Sequence, residues 1–289
     1  MSATTAPQAR WNRDQPAFAV IAEDKVDDLL LPESLHLVAM GNITASLSRK
    51  VWQGDSSMLV CNSNQQQEWF QLPAQLPSIR QPGLLLMDMD STAIEMECID
   101  EIARRGGVYE QVSAVTEQAM QGQLDFADAL RVRVALLAGI PASVLAEIAA
   151  DLPLMPGLKV LCRSLQQHGW KIAIASGGFN AIAAVLAQQL QADYFEANEL
   201  EQHQGILTGK VTGAIVDAQR KAEILAELGA RFEIEPSQWV AIGDGANDLP
   251  MLATANLGVG FRAKPKVAAQ ADVAINYLGL DAVLGLLTD

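Results

Sequence analysis

Positive charge is scarce in this chain. Its 289 residues carry 20 Lys and Arg against 34 Asp and Glu, a formal net charge of −14. No basic stripe is available to displace counterions, which argues against nucleic acid as a partner. The same field would slow an anionic small molecule unless a metal ion and a few local cations reverse it. Cysteine is scarcer still. Cys61, Cys98 and Cys162 are odd in number, with no CxxC or CxxH spacing. A disulfide framework is thereby excluded, and free, buried thiols in a reducing cytoplasm fit best. No uninterrupted apolar run is long enough to span a bilayer, so no membrane partner is expected. The first residues, Met1-Ser2-Ala3-Thr4-Thr5-Ala6-Pro7, lack a charged-then-apolar secretory pattern. The expected location is cytoplasmic.

What is present is a large apolar fraction, 50% of residues, and length enough for one large α/β domain plus a smaller one. Residues up to Arg10 read as disordered. Between 11 and 79 the signals are mixed: 18–21, 35–38 and 58–61 have the composition of short strands. The stretch 62–75 is rich in Gln and Pro, and Pro77 and Pro82 frame a linker. Residues 1–80 are therefore expected to form a small α+β accessory domain without a catalytic constellation.

The organising stretch follows: Leu84-Leu85-Leu86-Met87-Asp88-Met89-Asp90-Ser91-Thr92. Four apolar residues read as a strand buried on both faces, as in a parallel sheet. Two carboxylates stand where it emerges, and residues two apart in extended chain start on one face. Helical patterns then run to about residue 150, too long for a simple connection. Two more apolar strands end in polar signatures, 171–175 in Ser176-Gly177-Gly178-Phe179 and 239–242 in Gly243-Asp244-Gly245-Ala246-Asn247-Asp248. Strands alternating with helices predict a doubly wound parallel, Rossmann-like sheet over 82–289, interrupted by a helical cap at about 97–155.

Taken singly, each signature has an ordinary reading as a turn or a cap. Together they supply the parts of phosphoryl transfer. Asp88 and Asp244 offer hard oxygens for Mg²⁺. A serine followed by two glycines at a helix start offers N–H groups to a phosphate. In the cap, Phe126, Leu130 and Leu137 share a helical face with Arg133 in its middle, whereas Arg131 points elsewhere. A buried guanidinium needs an anion, either a ligand carboxylate or an internal acid.

In this order the signatures resemble the haloacid dehalogenase-like superfamily, and within it the phosphoserine phosphatase family, over about residues 82–289. The resemblance implies that Asp88 is the nucleophile and that Asp90 is the general acid and base. It places a metal between the Asp88 carboxylate, the Asp90 carbonyl and the Asp244 carboxylate, with Asp248 nearby. Ser176 and the Gly177 amide would bind the phosphoryl group, and Asn247 would support phosphate and lysine. The family lysine falls on Lys221, in Lys221-Ala222-Glu223-Ile224-Leu225. Outside that context Lys221 reads as solvated surface, between Arg220 and Glu223. Arg133 would hold a substrate carboxylate. Glu97, nine residues after the nucleophile (97 − 88 = 9), would hold its ammonium, with Glu95 as the local rival. Met89 stands where many relatives have Phe.

The expected activity is hydrolysis of phosphoserine, the last step of serine biosynthesis. Transfer of the phosphoryl group to another alcohol such as homoserine is the alternative. A receiver-like regulatory protein is disfavoured by the second acid, Asp90, and by the insertion. By analogy with relatives that carry amino-acid-binding modules, residues 1–80 are expected to be regulatory or to form a homodimer.

Overall fold

A computed structural model of the chain describes residues 17–23, 35–44, 47–54, 66–120 and 125–288. The expected disorder before residue 11 and the expected strand at 58–61 lie outside the described residues. The first sheet holds β1 (Ala17–Glu23), β2 (Leu35–Asn42), β3 (Leu47–Gly54) and β4 (Gln67–Leu72), in the order β2-β3-β1-β4. Every pairing in it is antiparallel. Among the described residues this region contributes strands only. β4 lies inside the Gln- and Pro-rich stretch, where no strand was expected, because Glu68, Phe70 and Leu72 alternate inward despite the glutamines around them.

The second sheet begins with β5 (Leu84–Met87), whose four residues are all fully buried. The cap follows as α1 (Cys98–Arg105), α2 (Tyr109–Met120), α3 (Phe126–Ala135) and α4 (Ser143–Ala149). Asp125 caps α3 as its residue type favours, accepting from the Asp128 N–H at 2.8 Å. The chain then returns through α5 (Leu158–Gln167), β6 (Lys171–Phe179), α6 (Asn180–Leu190) and the hairpin β7 (Tyr194–His203) and β8 (Ile206–Thr212). It ends through α7 (Ala218–Arg231), β9 (Trp239–Gly243), α8 (Leu249–Thr254), β10 (Leu257–Phe261), α9 (Pro265–Ala268) and β11 (Val273–Ile275). The helix expected at the end is a 3-10 stretch, Leu280–Leu286.

Strand order is β11-β10-β9-β5-β6-β7-β8, parallel except for β8. From β5 the chain winds first toward β6 and β7, then returns to build β9, β10 and β11 on the other side. The switch point lies between β5 and β9, where such sheets bind ligands beyond their carboxyl ends.

Two devices hold the cap over this edge. Its stems pair with each other: Glu95 N–H donates to Pro153 O at 2.7 Å and Met155 N–H to Ala93 O at 3.0 Å. The β7–β8 hairpin grips the far end, with bonds of 2.9, 2.9 and 2.8 Å from Gly139 N to Leu207 O, Leu207 N to Ile140 O and Ala142 N to Gly205 O.

The first sheet is docked rather than tethered. Ala19, Ile21, Val51 and Phe70 share one apolar core with Leu280, Val283 and Leu284 of the terminal 3-10 stretch. Glu68, almost fully buried, accepts from the backbone N–H groups of Asn276, Tyr277 and Leu278. The segment around Pro77 also bonds rather than dangles: Ser78 pairs with Thr288 and its N–H donates to Gln238 Oε1 at 2.8 Å.

Candidate active site

The three polar signatures end neighbouring strands, so the sheet alone brings them to one edge. The β5–β9 ladder continues one residue past Met87, with Asp88 N–H donating to Ile242 O at 3.0 Å. Asp88 is thus fixed by backbone before its side chain makes any contact. Its Oδ1 accepts from Met89 N–H at 2.7 Å and from Lys221 Nζ at 2.8 Å.

Lys221 is completely buried, so the surface reading of its sequence neighbours is wrong. Its ammonium bonds both Asp88 and Asp248, the latter at 2.7 Å. Burial alone would lower its pKa, but the Asp248 and Asp88 carboxylates more than reverse this and hold it charged.

Asp248 is the member of the cluster that the sequence pattern undervalued. Asp248 bonds Lys221 directly, while its neighbour Asn247 is half-exposed. A 3-10 turn, Ala246–Asp248, folds the Asp248 carboxylate back onto its own loop. There Oδ2 accepts from Asp244 N–H at 3.1 Å and Gly245 N–H at 2.9 Å. Gly243 is required, because any Cβ at that position would collide with the Asp248 carboxyl group. Asp244 also accepts from Thr92 Oγ1 at 3.3 Å.

Asp88, Asp244 and Asp248 each present an oxygen within 4.8 Å of the others. Burial and the neighbouring Asp248 charge push Asp88 well above the usual carboxylate range. The same two causes raise Asp244 to about 6, with Lys264 and Thr92 opposing. Three carboxylates around one buried ammonium carry excess negative charge, and hard oxygen donors in that state fit a divalent cation.

Asp90 lies two residues beyond Asp88, after which Ser91 turns the chain with a φ of 56°. Its Oδ2 accepts from Cys98 N–H at 3.1 Å and its Oδ1 from the Cys98 thiol at 2.9 Å. Burial first, and the Glu97 charge second, raise it to about 7. Ser176 is buried at the end of β6 and its Oγ accepts from Gly178 N–H at 2.8 Å. The expected helix start at the glycines falls later: β6 runs on to Phe179 and α6 begins at Asn180. A Cβ on Gly177 would stand 2.7 Å from Phe126 Cζ, so the first residue of α3 rests directly on this strand end.

The cap contributes two opposite charges. Glu97, exposed, accepts from Ser91 Oγ at 2.7 Å, and its charge reaches both Asp90 and Asp244. Glu95 is also exposed, with its backbone tied to Pro153 in the stem. Arg133 is half-buried, donating to Ala129 O at 3.3 Å and to Thr116 Oγ1 at 3.5 Å. No carboxylate among the described residues lies within ion-pair distance of it, so the internal salt bridge is not formed. Burial lowers its pKa, while Glu97, Asp100 and Asp90 favour its charge from farther away.

The family model for haloacid dehalogenase-like hydrolases matches residues 83–256. The chain belongs to the haloacid dehalogenase-like hydrolases. Within them it is similar to the phosphoserine phosphatase of Vibrio cholerae serotype O1, 50% identical over 213 residues. That match covers 74% of this chain and 65% of the relative, so the hydrolase spans just under two thirds of that protein's length. A crystal structure of the probable phosphoserine phosphatase from Vibrio cholerae superposes with a TM-score of 0.76 at 37% identity, covering 96% of this chain and 88% of that one. A phospho-aspartyl intermediate analogue of phosphoserine phosphatase superposes with a TM-score of 0.68 at 36% identity, covering 72% and 100%. Among the described residues no helix of this hydrolase is long and apolar enough to cross a membrane.

Proposed function

We propose that this hydrolase is a Mg²⁺-dependent, cytoplasmic phosphoserine phosphatase catalysing the last step of serine biosynthesis. The observation that carries the substrate choice is Arg133: a half-buried guanidinium without an ion-pair partner among the described residues, on a cap helix whose first residue touches the strand end read as phosphoryl-binding. A planar fork in that state suits a carboxylate. Glu97, whose charge reaches the same site, suits an ammonium. A phosphate ester bearing both groups on one short carbon chain is an O-phospho amino acid.

The chemistry follows from the strand ends. Both donors to Asp88 fall on Oδ1, which leaves Oδ2 to attack phosphorus. As the Asp88–phosphorus bond forms and the ester P–O bond breaks, Asp90 gives its proton to the departing serine oxygen. Water then attacks the aspartyl-phosphate, Asp90 takes the proton that the water loses, and the acyl phosphate bond breaks to release phosphate. Lys221 holds Asp88 in place and offers positive charge to the phosphoryl oxygens. Ser176, held by Gly178, donates its hydroxyl to the phosphoryl group beside the Gly177 amide, and Asn247 lines the rim. Asp88, Asp244 and the Asp90 carbonyl, with Asp248 nearby, would hold Mg²⁺, which would neutralise charge on the phosphoryl oxygens.

The test is phosphate release from phosphoserine, phosphoethanolamine and phosphoglycolate, with and without Mg²⁺ and with homoserine added. Phosphoserine should be preferred, Mg²⁺ required and free phosphate the product. Phosphohomoserine as the main product would establish transfer instead. Asp88→Asn should neither turn over nor accumulate an acid-labile phosphoenzyme. If it accumulates one, the nucleophile is another residue.

A further inference from the structure

Asp90 is gripped on both oxygens by one residue, Cys98, which lies eight positions further along the chain. The N–H bond is explained by helix geometry, since the first N–H groups of α1 have no partner within the helix. The thiol bond is not. Cys98 is completely buried and unpaired with other cysteines, and a small apolar residue would fill the same space. Its sulfur instead lies 2.9 Å from Asp90 Oδ1. Two contacts on opposite oxygens fix the rotation of a carboxylate about its bond to Cβ, which a single contact does not. Because Cys98 is the first residue of the first cap helix, the same contacts tie Asp90 to the cap.

We infer that Cys98 is a positioning residue that sets the rotation of the Asp90 carboxylate through its thiol, so that proton delivery is aligned when α1 is seated. The inference rests on the reading of Asp90 as general acid. It concerns orientation, so it acts on the chemical step and leaves substrate binding alone.

Rapid-quench measurement of phosphoenzyme formation tests it in Cys98→Ala and Cys98→Ser, in the full chain with Mg²⁺. Phosphoserine needs a proton on its leaving oxygen, whereas acetyl phosphate is a small donor whose acetate leaves without one. Cys98→Ala should slow transfer from phosphoserine about tenfold, the scale of one lost hydrogen bond to a charged group, with KM unchanged within about twofold. Transfer from acetyl phosphate should stay within about twofold of the parent, and Cys98→Ser, which keeps a donor, should restore most of the phosphoserine rate. An alanine variant as fast as the parent overturns the inference. So does an equal loss on both donors that serine fails to restore, which is the outcome for a packing residue. Asp90→Asn separates the two levels. If it is slow on phosphoserine while Cys98→Ala is not, only the role of Cys98 fails; if it is as fast as the parent, the acid assignment fails and takes the inference with it.

Discussion

The strand-end half of the site and its cap half are built on opposite plans. At the strand ends, Asp88, Lys221, Asp248 and Asp244 are buried or half-buried and hold one another through direct bonds and loop amides. In the cap, among the described residues, Glu97 is exposed and bonds Ser91, and Arg133 reaches a carbonyl and a hydroxyl. Groups that stabilise charge on a transferring phosphoryl unit work best when fixed beforehand. Groups that recognise a small ion must keep their strongest bonds for it. On the proposed function, the contrast separates fixed chemistry from adjustable selection.

Mutation of each half should therefore register in a different measurement. The largest effect is expected from Lys221→Met, which leaves two buried carboxylates without their cation. Removing one member of a buried pair costs about 3–5 kcal/mol, so the metal-free variant should lose that much stability in a denaturant titration. An unchanged midpoint would mean that the cluster is not held by its own charges. Arg133→Ala should leave stability nearly intact while raising the Michaelis constant for phosphoserine by about 2–5 kcal/mol of binding, the usual scale for a lost buried charge contact. Phosphoethanolamine, which has no carboxylate, should be little affected. Equal losses on both esters would make Arg133 structural and erase the distinction between the halves.

The smallest effect is a pH dependence confined to the fixed half. Burial raises Asp90 to about 7 and Asp244 to about 6, against 3.8 for an ordinary aspartate. Between those values the folded chain binds more protons than the unfolded one. This contribution to stability is fully present below about pH 4 and is lost as pH rises through about 6 and then 7. Thermal melting of metal-free protein should follow that trend, and saturating Mg²⁺ should flatten it. A melting temperature that climbs across the same window without metal would reverse the assigned electrostatics.

Much of this was legible because strands β5, β6 and β9 are apolar runs that stop abruptly at Asp or Ser. The insertion announced itself by length. Read from its immediate neighbours alone, Lys221 looks like surface, yet Lys221, Ile224, Leu225 and Leu228 fall at i, i+3, i+4 and i+7. They form the buried stripe of α7, so helical period held the signal that local polarity hid. Asp248 had no such signal, since only the geometry of a single turn separates it from Asn247. The contact from Cys98 to Asp90 depends in the same way on the turn at Ser91. β4 was hidden because its inward glutamate satisfies amides more than two hundred positions away, which no local pattern reports.

The seam between Pro77 and Thr288 has a consequence for how the molecule is made. Pro77 O accepts from both the N–H and the hydroxyl of Thr288, across 211 positions, and Arg49 donates to Leu287 O at 2.6 Å. On a ribosome, strands β1 to β4 emerge long before the surface they dock on. At about 5–20 residues per second the wait is about 10–40 s. During that interval Ile21, Val51 and Phe70 lack the terminal part of the core they share in the folded chain. The first sheet is thus synthesised well before its dock, and the segment through Leu287 and Thr288 acts as its clasp.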